Sequence, residues 1–243
     1  MLVSGATVWA APPARPPTLG GSPHTYAVRV ALNLRVRLLR RRRRPAAPAV
    51  SPHRAFDPRQ VGELETNTWV AYYRRDWVSF LRSAIALTRH TFGLPWPSTI
   101  HAAWLVLRAN QLWAPYPDNN PEGARQTMER FYRLLARRHD EPFDPRHASE
   151  LEVEWWRVHR VHQRERRDGD ERPLVAALTS LYSYVYGVPE GDVTAAAQER
   201  ALAMRYSDQW VEQGCNLDSP LVPEERAALV RSYAALLAAV HRV

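Results

Sequence analysis

Lysine is absent from the 243 residues, so all 33 basic side chains are arginine, and isoleucine occurs only at Ile85 and Ile100. That skew is the mark of a GC-rich coding sequence rather than of a mechanism. Cysteine is reduced to Cys215, which excludes an internal disulfide framework and any zinc site built on paired cysteines. Cys215 also follows Gly214 at an expected helix end, where the dipole raises a thiol's pKa and disfavours a nucleophilic role. No run of eighteen uncharged apolar residues occurs, so no membrane-spanning helix is expected. Gly-x-Ser-x-Gly, phosphate-cradling glycine loops and dinucleotide fingerprints are missing as well.

Acidic residues are lacking from the whole of residues 1–56, which carry ten arginines; the first carboxylate is Asp57. The net charge of +8 therefore belongs to this leader, because residues 57–243 hold 23 arginines against 25 acids. The leader is rich in proline and alanine and cannot bury enough apolar surface to offset its ordering entropy, so residues 1–56 read as a disordered basic tail. Within it, Val28 to Arg37 alternates with period two like a strand that has no partner. Arg40, Arg41, Arg42, Arg43 and Arg44 form a block that would attract nucleic-acid phosphates or anionic lipid. A solvated leader, or an extension from a misassigned start, is the plainer reading of such a block. The uncharged, weakly apolar start does not make a secretory signal, and a cytoplasmic location is the default.

From Asp57 onward the punctuation is helical. Asp57-Pro58-Arg59-Gln60 predicts an N-cap, a first-turn proline and a capping partner, with the helix running to Phe92 before Gly93 and Pro95. On that helix Tyr73, Trp77, Phe80, Ala84 and Leu87 recur at steps of three or four. A second segment, Thr99 to Trp113, is apolar nearly all round and is expected at the centre of the core. Further starts fall at Asn120-Pro121, Asp144-Pro145, Pro173, about Glu190, and Pro223. The expectation is an all-α fold, a single compact bundle of about seven helices over residues 57–243. Its core would draw on Trp69, Trp77, Trp104, Trp113, Trp155, Trp156 and Trp210.

Two constellations could carry chemistry. His101 and Arg108 lie seven apart on the apolar second segment, and a buried arginine there would need a partner. That partner is either an internal carboxylate, Glu65 or Asp76, or an anionic or amide-bearing ligand held against Trp104 and Tyr73. On the Asp144 helix, His159 and His162 lie one turn apart, with Glu165 one turn beyond and Glu152 before them. These four could hold iron, manganese or zinc in a di-iron-like oxidoreductase, although the Glu-x-x-His signature of such bundles is missing.

The run Leu151-Glu152-Val153-Glu154-Trp155-Trp156-Arg157-Val158-His159-Arg160, together with Asn110-Gln111-Leu112-Trp113-Ala114-Pro115, resembles uncharacterised all-helical proteins of high-GC Gram-positive bacteria. The likeness covers residues 57–243 and implies a dispensable tail; no activity comes with it. The leading expectation is a non-enzymatic helical protein, without cofactor, that binds an unknown protein or small ligand through its aromatic-rich body. The metal-dependent oxidoreductase and tail-mediated contact with nucleic acid or anionic membrane are the competing readings.

Overall fold

In a computed structural model of the chain, which describes residues 51–165 and 170–242, with Glu165 described by its backbone alone, the Asp57 carboxylate accepts the N–H groups of Arg59 and Gln60. With Pro58 in the first turn this starts α1, Pro58–Tyr73, since a capped first turn satisfies donors that otherwise have no partner. The expected continuation to Phe92 does not occur. Arg75 takes a left-handed backbone at φ 60°, and Asp76 caps a separate helix, α2, Trp77–Phe92, accepting from Ser79 N–H at 3.1 Å and Ser79 Oγ at 2.6 Å. The apolar spacing on either side of this break is in phase, which conceals it in the sequence.

The remaining helices are α3 (Trp96–Trp113), α4 (Pro121–His139), α5 (Pro145–Glu165), α6 (Arg172–Tyr186), α7 (Glu190–Glu212) and α8 (Leu221–Val240). The described residues thus hold eight α-helices and no strand, an all-α architecture with one helix more than expected. Each helix packs on its neighbours in the chain, and α8 returns to α1, so the packing order closes on itself. The contact between α2 and α3 is the thinnest of these. Gly93, at φ 57°, ends α2; a Cβ there would also stand 2.5 Å from that of Pro52, so both conformation and space demand glycine.

Five of the seven tryptophans expected inside are buried: Trp69, Trp113, Trp155, Trp156 and Trp210. Trp77 and Trp104 are not; each is 55% exposed. The expectation that α3 lies wholly within the core fails for the same reason. It buries Ala102, Leu105, Val106, Ala109 and Trp113 but leaves Ile100 and Trp104 outward, because α2 covers only part of its apolar circumference. None of the described helices is long and apolar enough to cross a membrane.

The boundary between tail and body also moves. Residues 51–56 belong to the helical body: Pro52–Arg54 form a short 3-10 helix, and His53 and Phe56 are buried. Phe56 meets the Tyr233 ring edge-on at 5.7 Å, and Arg54 grips Glu141 through two nitrogens and the Tyr186 carbonyl through a third. The rest of the expected tail, including its alternating segment Val28 to Arg37, lies outside the described residues.

Candidate functional site

The first turn of α3 sits close to the last turns of α2 across Gly93, Leu94 and Pro95, and beyond it the two helices leave a cleft floored by α1. Leu81, Ala84, Ile85 and Thr88 line one wall. Ile100, Ala103, Trp104, Leu107 and Gln111 line the other, with Trp69 and Tyr72 of α1 contributing as well. The steps of three and four residues on each wall are one face of each helix, so two apolar stripes look at one another across a gap. Its volume is about 270 Å³, close to the lower end of ordinary ligand sites, about 300 Å³, and above the roughly 150 Å³ of an apolar cavity that takes up benzene.

Few polar groups reach this cleft. Thr88 turns its hydroxyl back onto the Ala84 carbonyl at 2.8 Å, which consumes its donor. Asn110 donates from Nδ2 to the Val106 carbonyl at 2.9 Å, and that bond fixes which amide atom is the oxygen. Its Oδ1 is buried and has no hydrogen-bond partner. A buried carbonyl oxygen without a donor carries a desolvation cost; it has almost no accessible surface, so a ligand in the cleft meets it only when the Asn110 amide or its neighbours shift. Burial also raises the Tyr72 phenol above its ordinary pKa, so the hydroxyl stays protonated.

The residues expected to form one ligand site are not brought together. Trp104 lines the cleft, but Tyr73 lines a different cavity, beyond Trp69. His101 and Arg108 are exposed on α3. Arg108 therefore needs no buried carboxylate; it donates to Gln111 Oε1 at 3.4 Å. Glu65 instead accepts both terminal nitrogens of Arg200 and the Tyr233 hydroxyl, deep between α1, α7 and α8. Asp76 is spent on its helix cap.

That second cavity, about 20 Å³, is lined by Trp69, Tyr73, His159, Arg200, Ser207, Asp208 and Glu225, among others. It has room for one water. Burial, reinforced by the Glu65 carboxylate, pushes Glu225 up to about 8, against the opposing pull of Arg200 and Arg226. Its Oε2 has no hydrogen-bond partner. Burial, with Asp208 adding to it, also lifts the Tyr73 phenol well above its usual range. His159 Nε2 meets Asp208 Oδ2 at 3.1 Å, and Gln163 donates to the other Asp208 oxygen.

The expected metal set does not converge. His159 is taken up by Asp208, whereas Glu152 accepts Tyr132 Oη at 2.7 Å and Trp156 Nε1 at 3.1 Å. His162 is half-buried, and the side chain of Glu165 lies outside the described residues. Among the described residues no three His, Cys, Asp or Glu side chains stand close enough to share an ion. Arg40 to Arg44 likewise fall outside the description. Sequence reasoning missed Glu225 as a site residue, since nothing local marks that acid as buried; Asn110 carried a signal, being a polar residue on the inner face of an apolar helix. Against protein-family models, curated proteins and solved structures, the chain finds no match.

Proposed function

We propose that this protein binds an apolar small molecule carrying one hydrogen-bond donor, held in the cleft between α2 and α3. The observation that carries the reading is the hydrocarbon lining of the cleft, one of whose residues, Asn110, holds a buried acceptor without a donor. Hydrophobic burial would supply most of the affinity, at about 25 cal/mol per Å² of apolar surface removed from water. The amide oxygen would supply selectivity, because an unmet polar group penalises ligands that cannot pair with it. The reading is of binding rather than chemistry: the groups suited to moving protons, His159, Asp208 and Glu225, line the other cavity, beyond Trp69.

The test is calorimetric titration with medium-chain primary alcohols and the corresponding alkanes. The alcohols bind saturably, and Ala84→Phe, which fills the cleft, removes that binding. Asn110→Leu erases the preference for alcohol over alkane, a preference of roughly five- to tenfold for one ordinary hydrogen bond. Saturable binding that survives Ala84→Phe, or no binding of either series to the folded protein, would sink the reading.

A further inference from the structure

The hairpin formed by α2 and α3 carries an imbalance that its packing does not require. Among the described residues, eight large apolar side chains are extensively exposed, and six belong to residues 77–114: Trp77, Val78, Leu81, Trp96, Ile100 and Trp104, at 47–69% exposure. Scattered exposed hydrophobics are ordinary, but this concentration on one supersecondary unit is not. The same stretch contains Arg82, Arg89 and Arg108 with His90 and His101, and not one acidic residue. The rest of residues 57–243 has 25 acids against 20 arginines. A cationic apolar face thus projects from an otherwise acidic body.

The helical register interleaves the two properties. Trp77 and Leu81 are one turn apart on α2, as are Trp96, Ile100 and Trp104 along α3, while Arg82 and Arg108 stand beside these rows. Arg89 lies over the Trp96 indole, 4.3 Å from the ring centroid, so one guanidinium and one exposed indole form a unit. The carboxylates nearest in sequence are Asp76 and Asp118, one at each end of the stretch; Asp76 caps α2 and keeps its charge, which Arg82 beside it opposes, so the stretch stays net positive.

We infer that the outer face of the α2–α3 hairpin docks on the surface of an anionic lipid bilayer. Indoles favour the headgroup region, aliphatic side chains enter just below it, and each arginine near an anionic leaflet adds attraction. A second copy of the chain is a poorer occupant, since a two-fold pairing of this face would set arginine against arginine. The cleft opens between the same two helices, so a docked protein would present it to the lipid; the inference nevertheless stands if the cleft binds nothing.

The experiment uses the full chain with Arg15, Arg29, Arg35, Arg37 and Arg40 to Arg44 all replaced by serine, so that the leader cannot supply the affinity. Sedimentation is measured with vesicles of phosphatidylcholine alone and of phosphatidylcholine mixed with phosphatidylglycerol. The protein binds only the anionic vesicles. Arg82→Gln with Arg108→Gln lowers partitioning roughly 30-fold, about fivefold for each arginine. Brominated acyl chains quench its emission, and that quenching is lost when Trp77, Trp96 and Trp104 are all replaced by Phe. These exposed replacements leave the circular dichroism and the melting temperature unchanged. Equal binding to neutral vesicles, partitioning untouched by the two glutamines, or no vesicle binding once the leader arginines are gone would each overturn the inference. So would a concentration-dependent dimer, without vesicle affinity, that Trp104→Ser dissolves. Ala84→Phe tests the cleft alone: it removes alcohol binding while vesicle partitioning remains, so the two proposals fail separately.

Discussion

Arg200 of α7 and Glu65 of α1, 135 positions apart in the chain, are joined through both terminal guanidinium nitrogens and both carboxylate oxygens in the interior of the protein. The arginine is almost wholly buried and the glutamate completely so. Such a pair ties the first long helix to the seventh, and the Tyr233 hydroxyl joins α8 to the same carboxylate. Removing one partner leaves the other charge in a medium that cannot solvate it, which costs far more than the intact pair contributes.

Arg200→Met therefore destabilises the fold by about 3–5 kcal/mol. Its melting temperature falls by roughly 6–20 °C for a domain of this size. The triple replacement Glu65→Leu, Arg200→Met, Tyr233→Phe restores most of the loss, because no charge or hydroxyl is then left without its partner. Thermal melts of the two variants and the native chain decide the matter; equal melting of native and Arg200→Met would show the pair to be absent.

Glu225 predicts a pH dependence of one sign. Its folded pKa, about 8, lies above the ordinary 4.5, so the folded state holds a proton that the unfolded chain releases. The stability tied to this proton is complete below about pH 4.5 and is lost progressively as pH rises through about 8. Glu225→Gln keeps the shape without the proton, and at pH 7 it is more stable than the native chain by about 3 kcal/mol, the 2.5-unit interval at 1.36 kcal/mol per unit. At pH 4 the two are alike. Urea unfolding at pH 4, 6 and 8 measures the difference; an advantage that does not grow with pH would refute the burial of this acid.

His53 predicts the opposite sign at the acid end. Burial, set against the attraction of Glu141, lowers its pKa from 6.5 to about 4, and its ring packs between His139 and Tyr186, with centroids at 5.0 and 5.6 Å. The folded state takes the neutral imidazole, so the stability it contributes is complete above about pH 6.5 and drains away as pH falls through about 4. His139, lowered in the same direction by burial, adds to the same window. His53→Gln flattens stability between pH 6.5 and 4 by about 2–3 kcal/mol. Chemical-shift titration of the histidine rings reads the site directly, and a His53 midpoint near 6.5 would contradict the buried position.

The helix punctuation was legible in the sequence because caps act over three or four residues. Asp57 with Pro58, Asn120 with Pro121, and the stops at Gly93 and Gly187 all act where expected. The break at Arg74 to Asp76 was not legible. Tyr73, Trp77 and Phe80 keep helical spacing across it, and the one local sign is an aspartate three residues before Ser79, a cap that a polar position in a continuing helix also resembles. Arg108 drew attention as the arginine of an apolar helix, yet the buried arginines are Arg160 and Arg200, and no local pattern could indicate the carboxylate that Arg200 pairs with. Of the expected ligand residues, Trp104 lines the cleft while Tyr73 faces the other cavity, a separation made by the intervening side chain of Trp69.

By itself the sequence determined that this chain is helical, where most helices begin, and which segments carry aromatic stripes, since capping and the 3.6-residue period are properties of neighbours in the chain. Only the tertiary structure decided which stripe would go uncovered. An all-round apolar helix such as α3 has no preferred inner face of its own. Its burial follows from where α2 and α4 come to rest, and that depends on contacts between residues far apart in the chain. The loose approach of α2 leaves Trp104 and Ile100 at the mouth of a cleft, whereas the equally apolar Leu105 and Ala109 disappear into the core.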